Sequence, residues 1–213
     1  MSDNQFPPIL QFGTSRFLQA HVDLFVSQAL ERGAALGRIA VVQTTDSPAS
    51  TARTAALASG TPYRVLIQGV DNGQVVEQNL QASAISHALH AGEQWPALRQ
   101  GFVEQVKVVV SNTGDRGYLL DPRDTYALLA PQAAAPISFP AKLLVLLHDR
   151  WQHDARSTLS LCPCEPEARN GDVLRDLLVA LARSLALGEG FQAYLTQNCR
   201  WANSLVDRIV SRA

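Results

Sequence analysis

Apolar residues in this chain recur with two periods, and the two alternate. Short aliphatic or β-branched runs stand at positions 8–12, 39–42, 63–68, 106–111 and 158–161. Between them lie longer stretches with apolar residues three and four apart, the spacing of one helix face. The pattern predicts helices over 17–30, 50–59, 95–103, 139–153, 172–187 and 191–197. Gly33, Gly60 and Gly188 stand at their C-terminal ends. Residues 83–90 fit either a short helix or a strand. Asp71-Asn72-Gly73 separates 63–68 from a second β-prone run at 75–78, a strong signal for a hairpin. Asn170-Gly171 reads as a turn. Strands that alternate with helices and carry unbroken apolar runs imply a parallel sheet covered on both faces. The expected fold is α/β, a doubly wound, mainly parallel sheet of Rossmann type with an inserted β-hairpin, forming one domain over 1–213.

The first strand runs into Gly13-Thr14-Ser15-Arg16-Phe17 and then into a helix. A strand that enters a helix through a glycine turn presents backbone amides to a phosphate. The usual fingerprint has three glycines; here only Gly13 stands in the turn, so a plain strand-to-helix turn fits as well. Asp46 follows the second strand, 33 residues after Gly13, against about 20 in the usual spacing. A carboxylate there binds ribose hydroxyls. The same residue, before Ser47-Pro48, also suits the cap of the next helix. The strand over 106–111 leads into Asn112-Thr113-Gly114-Asp115-Arg116-Gly117-Tyr118. Ligands in open α/β sheets lie beyond the carboxyl ends of the strands, so this loop and the Gly13 loop are expected to share one crevice.

Composition narrows the class. Of 213 residues, 46% are hydrophobic and 17% charged, with a formal net charge of −1. Such a chain buries a core and lacks the basic character of a general nucleic-acid binder. No apolar run approaches the roughly 20 residues of a membrane span, and the N-terminus has no signal-peptide pattern. Three cysteines, Cys162, Cys164 and Cys199, provide no disulfide framework, and reduced thiols in a cytoplasmic protein are expected. The five histidines form no metal motif, and no nucleophile motif is present. Only two lysines occur, Lys107 and Lys142; neither is placed as a proton-transfer group by its position in the pattern.

Several stretches together resemble the mannitol dehydrogenase family of long-chain polyol and sugar-acid dehydrogenases, which includes the tagaturonate and fructuronate reductases. They are QFGTSRFLQAH from Gln11, SNTGDRGY from Ser111, SFPAKLLVLLHDR from Ser138, CEPEARNG from Cys164 and NSLVDRIV from Asn203. They occur in family order along nearly the whole chain. The resemblance implies an NAD(P)-dependent oxidoreductase with a polyol or hexuronate as substrate; Asp46 argues for NAD over NADP, because a carboxylate there would repel the 2′-phosphate. It implies that Gly13, Thr14, Ser15, Arg16 and Phe17 serve the pyrophosphate, Asp46 the ribose, and Ser111, Asn112 and Thr113 the nicotinamide side. It also implies that Asn203 reaches the active site and holds the substrate oxygen, although a structural cap or turn amide suits Asn203 equally. Asp207 and Arg208 fit a structural ion pair.

Three departures from the family pattern bear on cofactor affinity and substrate. Ser15 replaces the second glycine of GxGxF, Gln19 stands in place of the usual Arg, and Trp201 in place of Phe or Ser. Family members continue into a helical catalytic domain whose KxxxxNxxH lysine is the base. That domain is absent from this sequence, so the chain is expected to be inactive alone and to self-associate through the uncovered face. Lys107 and Asn112 match the KxxxxN spacing only on a strand. Two other classes fit the same residues: an S-adenosylmethionine-dependent methyltransferase, which also needs a glycine turn and a ribose-binding acid, and a non-catalytic nucleotide-binding module.

Overall fold

The structure is a computed structural model that describes residues 5–114, 117–206 and 208–211. Asp115, Arg116 and Asp207 lie outside the described residues. The first strand, β1 (Ile9–Phe12), is buried along its whole length. It pairs in parallel with β2 (Ile39–Gln43) on one side, with Ile9 opposite Ile39. On the other side it pairs in parallel with β6 (Val108–Ser111), with Ile9 opposite Val108. Beyond β2 lies β5 (Ile85–His90). Beyond β6 lie β7 (Leu159–Pro163) and β8 (Cys199–Trp201). All these pairings are parallel, and the order is β5-β2-β1-β6-β7-β8. This is the doubly wound Rossmann order, in which chain direction across the sheet reverses between the first and fourth strands of the sheet.

Side chains that alternate along the strands feed two cores. Leu10, Phe12, Ala40 and Val42 face one side. There they meet α4 (Trp95–Gln105), α5 (Phe139–His153), α6 (Asn170–Ser184) and α7 (Glu189–Gln197). Ile9, Ile39, Val41 and Val110 face the other side, against Leu18 and Leu57. Leu18 belongs to α1 (Arg16–Ala20), which is followed by α2 (Val22–Glu31), and Leu57 to α3 (Pro48–Ala58). α1 to α3 thus cover one face and α4 to α7 the other. The described helices include none long and apolar enough to cross a membrane.

The structure departs from the sequence reading at several local points. The helix expected over 17–30 breaks at His21, which leaves helical geometry at φ −119° and ψ −90°. Its ring lies between Phe17 at 5.0 Å and Phe25 at 4.8 Å. Of the two readings left open for 83–90, the strand is the one found, with 85–90 at the sheet edge. Asn170-Gly171 is the first turn of α6 rather than a free turn. The Asn170 amide is fully buried and donates to the carbonyls of Pro163 and Glu165, while its oxygen accepts from the Ser204 amide. Those bonds tie the end of β7 to the segment after β8, and the strained backbone falls on Arg169 instead, at φ +57°. Gly190 lies inside α7. Arg200 and Trp201 belong to β8, and Lys107 is exposed, just outside β6.

The hairpin forms where expected and extends further, with β3 (Tyr63–Asp71) and β4 (Gln74–Ala82) in antiparallel register. Asn72 and Gly73 both take positive φ, 50° and 76°, as a two-residue hairpin turn requires. Its base packs on α2: Val65 and Ala82 bury against Leu24, and the Tyr63 hydroxyl donates to Asp23 at 2.9 Å. Asp23 is fully buried. Burial pushes its carboxyl up to about 7, and the Tyr63 hydroxyl and Gln11 amide offset only part of that. A raised folded-state value means that the folded chain keeps a proton that the unfolded chain has lost between about pH 4 and 7. Stability therefore falls across that window as pH rises, by about 1.4 kcal/mol per pH unit at most from this group. Asp23→Asn keeps the acceptor for Tyr63 and removes the ionisation. Its melting temperature relative to wild type should be higher at pH 8 than at pH 5. An equal difference at both values would mean that Asp23 ionises normally.

Candidate functional site

β1, β2 and β6 end side by side at the carboxyl edge of the sheet, and their loops enclose a crevice. The walls are Gly13, Thr14 and Ser15 after β1; Gln43, Thr44, Thr45, Ser50 and Arg53 at the end of β2 and on α3; and Asn112, Thr113 and Gly114 after β6. The crevice lies at the point where strand order reverses, the general location of ligands in this fold.

The turn at Gly13 is made by backbone contact. Its φ is +113°, a region that side-chain-bearing residues rarely adopt. A Cβ at this position would sit 2.4 Å from the Asn112 carbonyl oxygen. The Gly13 amide donates to the Val42 carbonyl and the Asn112 amide to the Phe12 carbonyl, both at 3.0 Å. Ser15 then opens α1 by accepting from the Leu18 amide at 3.3 Å, and its hydroxyl donates to the Asn112 side chain, also at 3.3 Å. The single glycine is therefore where close approach demands it, and Ser15 fills the next position as a cap.

The loop after β6 is fixed by a residue that the sequence reading did not select. Glu165, 4% exposed, accepts from the Ser111 hydroxyl, the Thr113 amide and hydroxyl, and the Tyr118 hydroxyl, at 3.0 to 3.2 Å. Burial and the neighbouring Glu165 raise the Tyr118 phenol well above its ordinary range, so Tyr118 acts as a donor. The Asn112 amide donates to the Cys164 carbonyl at 2.7 Å. The only sequence signal for Glu165 was its place in CEPEARNG, shortly after the strand at 158–161.

Of the predicted residues, Gly13, Thr14, Ser15, Asn112 and Thr113 come together on the crevice walls. Ser111 is buried beneath them and spends its hydroxyl on Glu165. Arg16 is exposed, and Phe17 stacks on His21 away from the walls. Asp46 does not line the crevice. Its carboxylate is 93% exposed and lies 2.9 Å from His90 Nε2. It is not the helix cap either, because Ser47 accepts from the Ser50 amide in that role. Asn203 has both ends of its amide engaged by α6: it accepts from the Asp172 amide at 3.0 Å and donates to the Asp172 carboxylate at 2.9 Å. Arg208 donates to the Ala20 carbonyl and lies over the Phe25 ring; the Asp207 half of the expected ion pair is outside the described residues. Lys142 is buried near the same sheet edge, with its ammonium donating to the Ile137 carbonyl at 2.7 Å. Burial lowers it to about 8. Burial also raises the Cys164 thiol to about 11 and the Cys199 thiol to about 12, leaving both as poor nucleophiles.

The family model of the mannitol dehydrogenase Rossmann domain matches residues 7–213. The chain belongs to the mannitol dehydrogenase family. Among curated relatives, altronate oxidoreductase of Bacillus subtilis (strain 168) is 30% identical over 212 residues, 97% of this chain and 42% of that protein. Altronate oxidoreductase of Phocaeicola vulgatus is 32% identical, over 95% of this chain and 41% of that protein. Among solved structures, Pseudomonas fluorescens mannitol 2-dehydrogenase in a ternary complex with NAD and D-mannitol superposes with a TM-score of 0.77 at 19% identity, covering 97% of this chain and 42% of that one. A substrate-free D-sorbitol dehydrogenase gives the same TM-score at 22% identity. At those identities the superpositions establish the fold. The chain spans about two fifths of the length of the relatives it matches.

Glu165→Ala tests how the loop after β6 is held. Alanine removes the acceptor shared by Ser111, Thr113 and Tyr118 and leaves their buried donors unpaired. The variant should lose about 1–3 kcal/mol in urea denaturation, and the Thr113 amide should exchange with solvent markedly faster. Unchanged exchange at Thr113 would show that Glu165 does not hold the loop.

Proposed function

We propose that this chain is the nicotinamide-dinucleotide-binding unit of an oxidoreductase acting on a polyol or hexuronate. The observation that carries the proposal is the crevice at the strand-order reversal, walled by Gly13-Thr14-Ser15 on one side and Asn112-Thr113 on the other. The donors fit such a ligand. Glycine at Gly13 lets backbone approach a pyrophosphate, and Thr14 and Ser15 add amides and hydroxyls beside it. Asn112 and Thr113, held by Cys164 and Glu165, form the nicotinamide side. When bound, a nicotinamide dinucleotide would donate or accept the hydride. The residues of this chain would hold and orient it at the carboxyl ends of β1, β2 and β6.

Proton transfer at the substrate oxygen is a separate task, which this proposal assigns to a group other than the two lysines. Lys107 is exposed beside β6, and Lys142 is buried with one of its three donors on the Ile137 carbonyl. Asn203 acts as a cap of α6 and so positions the segment after β8. The relatives' names, altronate oxidoreductase and mannitol 2-dehydrogenase, support a sugar-acid or polyol substrate. The exposed Leu205 and Ile209, both 97% accessible, suit a face covered by a further domain; left uncovered, it would drive self-association.

Calorimetric titration of the chain with NADH, NADPH and S-adenosylmethionine decides between the enzyme classes. A reduced dinucleotide should bind with micromolar to millimolar affinity, S-adenosylmethionine should not, and turnover of sugar acids or polyols should be negligible. Binding of S-adenosylmethionine alone would overturn the proposal, and a robust dehydrogenase rate from this chain would overturn the division of labour.

A further inference from the structure

The ribose end of the crevice has a composition that diol recognition does not explain. In this fold a carboxylate after the second strand accepts from both ribose hydroxyls, whereas an arginine nearby accommodates a 2′-phosphate. The wall after β2 consists of Thr44, Thr45, Ser50 and Arg53. Among the described residues on the crevice walls, Arg53 is the one charged side chain, and no carboxylate accompanies it. Asp46, the nearest acid in sequence, points into solvent beside His90.

This wall is rigidly assembled. Gln43, 2% exposed, donates to the Thr45 carbonyl at 2.6 Å and to the Thr51 hydroxyl at 3.1 Å, and its oxygen accepts from the Thr54 hydroxyl at 2.7 Å. The loop after β2 is thereby stapled to α3, the helix that presents Ser50 and Arg53. Arg53 itself is half-buried, and its Nε is shielded from water with no hydrogen-bond partner. Nor does Arg53 pair with a carboxylate among the described residues. A buried guanidinium N–H without an acceptor costs free energy, and the guanidinium is a fork of donors shaped for phosphate. The hydroxyls of Thr44, Thr45 and Ser50 beside it are neutral donors that complete an oxyanion site.

We propose that the crevice selects a 2′-phosphorylated dinucleotide, NADP(H), with Arg53 as the principal ligand of the 2′-phosphate. The proposal rests on the reading of the crevice as a dinucleotide site. It reverses the preference for NAD that Asp46 suggests from sequence, because Asp46 is not among the crevice-wall residues and its carboxylate lies in solvent beside His90.

Calorimetry on the 213-residue chain provides the test without any turnover. The ligands are NADP+, NAD+ and the fragments adenosine 2′,5′-bisphosphate and 5′-AMP. NADP+ and the bisphosphate should bind at least about tenfold tighter than their unphosphorylated counterparts, as one charge-assisted phosphate contact provides. Arg53→Ala should erase that ratio without a large loss of melting temperature, and Arg53→Lys should keep part of it. Asp46→Asn should leave the ratio unchanged. NAD+ binding as tight as NADP+, or a ratio that survives Arg53→Ala, would overturn the phosphate site and leave the dinucleotide reading intact. Failure of both dinucleotides and both fragments to bind would overturn the dinucleotide reading itself.

Discussion

The close approach of two backbones, Gly13 and Asn112, is the constraint on which the rest of the site depends. No side chain fits between them, since a Cβ on Gly13 would meet the Asn112 carbonyl oxygen at 2.4 Å. The amides on either side are used in extending the sheet ladder, Gly13 toward β2 and Asn112 toward β1. So the three strands that end at the crevice stay in register to their last residue, and the loops leave at one level. A bulkier residue at position 13 would push the β1 and β6 loops apart, and the crevice would lose a wall before any ligand arrived.

Two buried polar side chains extend that constraint outward. Glu165 gathers the donors of the loop after β6, and Asn170 ties the ends of β7 and β8 together. Both are expensive to bury and tolerable only because their hydrogen bonds are made. Gln43 does the same for the loop after β2. The loops after β2, β6 and β7 are thus each held from beneath by a polar residue inside the protein. The apolar contacts that stabilise the sheet lie deeper, in the two cores on its faces.

Much of the fold was legible because its signals are local. Parallel strands show as unbroken runs such as Val108-Val109-Val110, and the Asn72-Gly73 turn announces the hairpin through the φ values it needs. Gly13, Thr14, Ser15, Asn112 and Thr113 were legible because strand ends in this fold converge. What stayed hidden depends on distant partners. Asn170-Gly171 has turn chemistry, but the Pro163 and Ser204 contacts put it in a helix. Asp46 has the right type and approximate place, but whether it faces the crevice is decided by His90 on another strand. Arg53 sits on a helix face like any solvated arginine until α3 is packed against the β2 loop. Nothing in the spacing of Glu165 shows that four donors converge on it.

In this account the carboxyl ends of β1, β2 and β6 form one dinucleotide crevice, held by backbone fit and polar clamps, and the hairpin is a separate attachment. Hydrogen–deuterium exchange with and without saturating nicotinamide dinucleotide tests that most directly. The account predicts slowed exchange confined to residues 13–18, 43–54 and 111–118, with none in the hairpin at 63–82. Protection centred on the hairpin or on α6 and α7, with the three loops unchanged, would contradict it.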